Sequence, residues 1–302
     1  MHRLAPFLKN KAGRKALLIR GLGILATPID MMLMAAFPGM RNIYLDVPDP
    51  AAFPIFIVSP PRAGSTLVYQ YLCQALSVRY ISGFWEVLPQ SGRYLGFGMR
   101  RPAASFDSFF GNSVHLNGPH EGGRVVGQWF PAGPTHACQK LGDSEVIAMR
   151  RYFRDLSSRA GRPVLIKNVR NAVRVAALRH ALPDARFIRI RRPCSDIAAS
   201  VARGDATLMR SRHETFTVKP EDWVALRDLP IHERASQQVA SIEAALDRDL
   251  AGLDQDRLYD LSFEAFCKTP WHMTLSIAER FPPIEIRPDM PPDLKQRTFT
   301  AR

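Results

Sequence analysis

The sequence predicts a three-layer α/β fold: a central, mostly parallel sheet with helices on both faces, and a helical extension at the N-terminus. Three observations lead there. Short apolar runs alternate with helix-length segments along most of the chain, the pattern of parallel strands joined by crossovers. The first such run, Ile55–Val58, stops at Ser59-Pro60-Pro61 and gives way to Leu67, Val68, Tyr71, Leu72, Ala75 and Leu76 at helical spacing. Proline offers no N–H to a sheet, so strand, tight turn and helix follow one another directly. At 302 residues and 46% hydrophobic, the chain can bury a large core as one domain. Residues 1–45 are assigned to the extension and residues 46–302 to a single α/β domain.

The extension is basic before it is apolar. Arg3, Lys9, Lys11, Arg14, Lys15 and Arg20 precede the first acid, Asp30, and are interleaved with Leu4, Phe7, Leu8, Leu17, Leu18 and Ile19. A second apolar stretch, Gly21–Phe37, is interrupted by Pro28 and Asp30. A basic amphipathic helix followed by a short apolar one fits two uses: peripheral contact of residues 1–40 with an anionic membrane surface, or packing on the core or a partner, a second copy included.

After the first strand and helix, Val78–Ile81 reads as a short strand leading to Ser82-Gly83-Phe84-Trp85-Glu86. Residues 91–145 are rich in Gly, Pro and aromatics, Arg93–Gly98 above all, and read as loops and short helices over a site. Glu145–Ser158 is helical. Pro163–Asn168 is a buried strand followed by a helix to Leu182. Arg186–Arg192 is another strand, with a helix from Asp196. Residues 205–222 read as loop, Glu233–Leu250 as helix and Leu258–Phe263 as strand. Thr269 and Pro270 suit the N-cap and first position of a helix to Arg280. The Pro-rich 282–292 segment is extended.

Composition narrows the function classes. The net charge is +13, and Arg outnumbers Lys 33 to 8, which favours planar recognition of phosphate, sulfate or carboxylate. Aromatics do not interleave with the basic residues as a nucleic-acid platform needs, so no nucleic-acid partner is expected. The four cysteines are widely spaced and form no C-x-x-C pair, which fits reduced thiols in the cytoplasm. No run of eighteen apolar residues and no convincing signal peptide is present. The expected location is cytoplasmic, with the extension as a peripheral contact at the inner face of the membrane.

The chemistry centres on Arg62-Ala63-Gly64-Ser65-Thr66-Leu67. A turn into a helix aims backbone N–H groups and the helix dipole at one point, where an anion is favoured. Arg62 adds a fork of donors, and Ser65 and Thr66 add hydroxyls. The nucleotide-triphosphatase loop G-x-x-x-x-G-K-[ST] is not matched, because no Lys precedes Ser65 or Thr66. In a parallel sheet, ligands bind outside the carboxyl ends of the strands. Glu86, Lys167, Arg191 and Arg192 fall at such ends, and Ser200 lies eight residues past Arg192. One carboxylate facing several cations suits transfer of an anionic group to a nucleophile.

The motif Ser59-Pro-Pro-Arg-Ala-Gly-Ser-Thr-Leu67 resembles the 5′-phosphosulfate loop of the sulfotransferases that use 3′-phosphoadenosine-5′-phosphosulfate (PAPS), especially the branch of bacterial and tyrosylprotein enzymes. Arg186–Ser200 resembles their 3′-phosphate motif. Val164-Leu-Ile-Lys-Asn168 resembles their Lys-bearing strand, and Leu258–Pro270 a later strand-to-helix segment. The resemblance runs from about residue 53 to 281. It implies a P-loop-type fold and PAPS as co-substrate. Arg62, Ala63, Gly64, Ser65, Thr66 and Leu67 would hold the 5′-phosphosulfate, and Arg192 and Ser200 the 3′-phosphate. Spacing selects Arg192, whereas the family's usual R-x-P selects Arg191. Lys167 would stabilise the leaving oxygen.

The general base is Glu86 by position, with His120 and Glu121 as rivals in Pro119-His-Glu-Gly-Gly123. His120-Glu121 is not H-E-x-x-H, so no metal is expected. Lys295 and Arg297 either cover the 3′-phosphate or belong to a basic tail. The acceptor class stays open among small molecules, lipids and peptides. Two other readings remain: a P-loop nucleotide kinase or phosphotransferase, and a non-catalytic membrane-associated protein retaining the fold.

Overall fold

β1 (Pro54–Val58) is buried along its whole length and lies at the centre of the molecule. Its side chains alternate as a strand requires: Ile55 and Ile57 enter the hydrophobic core on one face, Phe56 and Val58 the core on the other. A strand buried on both faces must be apolar at every position, which is why this segment reads as a continuous run. The computed structural model describes residues 8–36, 53–92, 106, 108–109, 112–113, 115–158, 161–209, 211 and 213–301.

In chain order the described elements begin with α1 (Lys11–Ala36), β1, α2 (Ser65–Ala75), β2 (Arg79–Tyr80) and α3 (Gly83–Val87). A small hairpin, β3 (Ser108–Phe109) with β4 (Asn112–Ser113), and α4 (Gly123–Gly127) come next. Then follow α5 (Asp143–Ser158), β5 (Val164–Lys167), a 3-10 turn at Val169–Val173, α6 (Val175–Ala181) and β6 (Arg186–Arg191). The last part holds α7 (Cys194–Leu208), α8 (Trp223–Leu226), α9 (Ile231–Leu250), β7 (Leu258–Ser262), α10 (Phe263–Lys268), α11 (Pro270–Arg280) and a 3-10 turn at Pro292–Gln296.

The main sheet is parallel, in the order β2-β5-β1-β6-β7. The chain builds one side of β1 first and then the other, so the C-terminal end of β1 lies where the strand order reverses. Ile57 is in register with Lys167, and Val58 with Arg189. This register brings the ends of β1, β5 and β6 to one edge. The two cores cover opposite faces: α2, α7 and α11 contribute to one, α5 and α6 to the other. The three-layer α/β expectation therefore holds.

The extension departs from its expected form. Instead of two helices, α1 is one continuous helix of 26 residues that runs through Pro28 and Asp30. Asn10 caps it, accepting from the N–H of Ala12 at 2.8 Å. Asp30 does not break the helix, because its carboxylate is buried and accepts from Ser91 N (2.8 Å), Ser91 Oγ (2.6 Å) and Gln90 N (3.0 Å). Two smaller differences have local causes. Phe263 opens a helix rather than closing a strand, since Ser262 Oγ accepts from Ala265 N at 3.3 Å as an N-cap. Residues 205–208 are the last turn of α7 rather than loop. The boundary drawn between residues 45 and 46, and the stretch Arg93–Gly98, lie outside the described residues.

The turn after β1 takes two left-handed residues, Arg62 at φ 72° and Gly64 at φ 89°. A Cβ on Gly64 would sit 2.0 Å from the Phe263 ring. Only glycine combines that φ with that approach. Gly64→Ala is expected to lower stability by about 1–3 kcal/mol, read as a shift in the urea midpoint. An unchanged midpoint would mean that Phe263 does not pack on this turn.

Candidate active site

The turn becomes a cradle because α2 begins at Ser65, with its first N–H groups directed into the loop. Ala63 and Leu67 turn their side chains into the core, so they would serve a ligand through their backbone. Arg62 reaches across the sheet edge: its Nε donates to Ser200 Oγ at 3.1 Å. Arg192 Nη1 donates to the carbonyl of Arg62 at 3.3 Å. Two segments about 130 residues apart are thus hydrogen-bonded to each other.

The cations there crowd one another. The Arg62 guanidinium is held below its usual range by burial first, then by the charges of Arg192 and Arg203. Two carboxylates, Asp196 and Glu264, stand at 3.9 and 4.0 Å from Arg192. Phe263 lies under the Arg192 guanidinium, 5.2 Å from it. An anion bound between these groups would relieve the repulsion. Arg191 makes no contact with the cradle among the described hydrogen bonds and ion pairs; it is exposed and paired with Asp260 at 2.8 Å. Both arginines border a cleft of about 400 Å³, together with Cys194, Glu243, Asp247 and Glu264.

The second half of the site joins β5 to α3 and α4. Lys167 is buried, donates to Thr66 Oγ1 at 3.0 Å, and forms an ion pair with Glu121. It therefore links the cradle to the His120–Glu121 loop. Asn168 Nδ2 holds that loop by donating to the Glu121 carbonyl at 3.2 Å. Glu86 receives the backbone N–H of Arg124 on both oxygens, at 3.1 and 3.2 Å. Its side chain is 13% exposed, and burial pushes its carboxyl up to about 7 against the pull of Arg124. His120 Nδ1 stands 3.9 Å from Glu86. Burial holds His120 down to about 4, so it is neutral at pH 7. Its Nδ1 accepts from Gly122 N at 3.2 Å, which leaves the proton on Nε2.

The structure thus gathers Arg62, Gly64, Ser65, Thr66, Lys167, Arg192 and Ser200 around one edge, with Glu86, His120 and Glu121 beside them. Lys295 and Arg297 are engaged with aromatic rings: Lys295 with Trp271 at 5.2 Å, Arg297 with Phe106 at 4.6 Å. Among the described residues no cluster of three or more His, Cys, Asp and Glu could hold a metal ion. Sequence reasoning missed Arg203, Arg124 and the pair Phe263–Glu264. Arg203 lies three residues past Ser200, one helical turn on. Phe263 and Glu264 follow the end of β7 and were open to the same strand-end rule. Arg124 carried no signal in the sequence, because its partners lie 37 to 101 residues away.

Comparison with known proteins bears on family and fold. The family model described as "Sulfotransferase family" matches residues 54–281. No curated protein matches the chain. Among solved structures, the chain is similar to sulfotransferase STF9 from Mycobacterium avium, with a TM-score of 0.55 and 16% identity over 83% of this chain and 67% of that one. It is also similar to sulfotransferase STF1 from Mycobacterium tuberculosis H37Rv, with a TM-score of 0.52 and 16% identity over 92% of this chain and 80% of that one. At such identity the two structures speak for the fold.

The opposite shifts of Glu86 and His120 can be measured directly. A carbon-detected titration of the Glu86 carboxyl should show a midpoint near 7, with His120 remaining neutral down to about pH 5. A Glu86 midpoint below 5 would mean that water reaches the carboxylate and that burial does not tune it.

Proposed function

The chain belongs to the sulfotransferase family, and on that footing we propose that it moves the sulfuryl group of PAPS to a hydroxyl or amine of its acceptor, with Glu86 as general base. The observation that carries this reading is the hydrogen-bonded meeting of the cradle with Arg192 and Ser200. A donor with two separated anionic ends needs two anion sites on one edge. The charges of Arg192 and Arg203 act on Arg62, and such a donor would bring opposite charge to this cluster.

In this reading the cradle residues Arg62 to Leu67 hold the 5′-phosphosulfate. Arg192 and Ser200 hold the 3′-phosphate, and Arg203 adds charge from the next turn of α7. The cleft beside Arg192 offers room for the nucleoside. Arg192 is preferred to Arg191 because it touches the cradle, while Arg191 is spent on Asp260. The donor supplies the sulfuryl group, which leaves its bridging phosphate oxygen as the acceptor oxygen or nitrogen bonds to sulfur. Lys167, which donates to Thr66 Oγ1 of the cradle, would steady the departing oxygen. Glu121 would keep that ammonium in place.

Glu86 suits the base role best of the three candidates. A carboxyl near 7 is a stronger base than an ordinary one and is about half ionised at neutral pH. Glu121 is committed to Lys167. His120 has its free lone pair occupied by Gly122 N–H. A cytoplasmic setting fits the four free cysteines. The acceptor, whether small molecule, lipid or peptide, would approach from the side of α3 and α4.

Donor binding should appear as thermal stabilisation by 3′-phosphoadenosine-5′-phosphate and not by ATP with Mg²⁺. A charge-assisted bond is worth about 1.5–3 kcal/mol, so Arg62→Ala and Arg192→Ala should each weaken that binding about ten- to a hundredfold. Arg191→Ala should leave it near wild type. Equal losses for Arg191→Ala and Arg192→Ala would refute the chosen register.

Turnover should rise with pH through an apparent pKa of about 7, since Glu86 must lose its proton to act. Glu86→Gln should lower kcat by about 10² or more and spare donor affinity. A variant with full turnover and an unaltered pH profile would remove Glu86 from the mechanism.

A further inference from the structure

Helix α1 lies on the domain by one face only. Ile19, Gly23, Asp30 and Met34 are buried on that face. A Cβ on Gly23 would sit 2.9 Å from Arg124 Nη1 and 3.3 Å from the Glu86 carbonyl, so the helix backbone runs close against α3 and α4. Arg124 fastens it there: Nη1 donates to the Gly23 carbonyl at 2.7 Å and Nη2 to Thr27 Oγ1 at 2.8 Å. The same guanidinium donates to the carbonyls of Glu86 and Val87, both at 3.1 Å. With the buried Asp30 bonds, these contacts hold α1 against the element that carries the candidate base.

The opposite face is apolar and uncovered. Leu18, Leu22, Leu25, Ile29 and Met32 follow one another at spacings of four and three residues and are 37% to 76% exposed. Ile24 and Met31, 66% exposed each, widen the stripe. From Gly21 to Ala36 the only ionisable residue is Asp30, which is turned inward. The charges stand at the other end, where Lys9, Lys11, Arg14, Lys15 and Arg20 are all exposed.

By length and composition α1 could cross a membrane, but its inward polar contacts tie it along the protein surface instead. A second copy paired along the stripe would leave Ile24 and Met31 uncovered, because a helix pair buries only a narrow seam. An apolar half-cylinder with a cationic end matches the acyl and headgroup layers of an anionic bilayer.

We propose that α1 seats this enzyme on an anionic lipid bilayer, its outward face among the acyl chains and its basic end among the headgroups. The consequence that Glu86 then works beside the membrane rests on the reading of the site given above; vesicle binding itself does not.

The test is flotation of the full-length protein with phosphatidylglycerol–phosphatidylcholine vesicles and with pure phosphatidylcholine vesicles. The wild type should float with the anionic vesicles. Leu25→Glu with Ile29→Glu should cut that partition at least about tenfold. Lys11→Glu with Lys15→Glu should cut it about tenfold on anionic vesicles, with little change on neutral ones. Each variant is checked for a cooperative thermal melt with a midpoint near that of the wild type, which certifies that the core is folded, and separately for stabilisation by 3′-phosphoadenosine-5′-phosphate. A folded wild type that does not float overturns the proposal. So does a vesicle-independent dimer that Leu25→Glu with Ile29→Glu dissociates, because it assigns the face to a second copy. Flotation without nucleotide stabilisation supports the surface and counts against the transferase reading alone.

Discussion

The site depends on a turn in which the backbone goes left-handed at Arg62 and again at Gly64. An L-residue there costs on the order of 1–2 kcal/mol, so Arg62 must be held by its surroundings. It is held twice, by Ser200 on its side chain and by Arg192 on its carbonyl. Gly64 permits the close approach of Phe263, which also lies under the Arg192 guanidinium. Cradle, α7 and the start of α10 are therefore locked by one another. The parallel register of β1, β5 and β6 supplies the frame, because it sets the carboxyl ends of three strands side by side.

Burial then divides the chemistry. The same loss of water that disfavours charge pushes Glu86 up to about 7 and His120 down to about 4. Around pH 7 His120 is neutral and Glu86 about half ionised, next to the cations of the cradle. The cations of the cradle and the Glu86–His120 pair thus occupy two sides of one candidate site. Lys167 stands between them, bonded to Thr66 of the first and to Glu121 of the second.

Arg124 extends this coupling to the surface. Its N–H orients the Glu86 carboxylate, and its guanidinium pins both the carbonyls of α3 and the backbone of α1. Whatever α1 rests on is one residue removed from the candidate base. This linkage gives the extension a physical relation to the chemistry rather than a merely appended one.

Local physics made much of this legible in the sequence. Apolar runs buried on both faces, prolines that end a strand, and Thr269-Pro270 opening a helix are short-range effects, so strand and helix positions followed from them. The cradle motif and the Arg–Ser spacing after β6 were visible for the same reason, since each lies within nine consecutive residues. Decisions that depend on distant partners were not visible. Spacing to Ser200 selected Arg192 and the family's R-x-P selected Arg191; which of them touches the cradle depends on packing, which pairs one with Asp260 and the other with the Arg62 carbonyl. Asp30 looked like a helix break until Ser91 and Gln90 supplied its hydrogen bonds from 60 residues away. Glu86 was a candidate base by position, but the shift of its carboxyl was not visible, because it arises only when distant segments bury the side chain. Short-range patterns were enough for the elements and for the candidate anion-binding turn; which side chains face one another was left to tertiary packing, because desolvation and pairing arise only when separate segments meet.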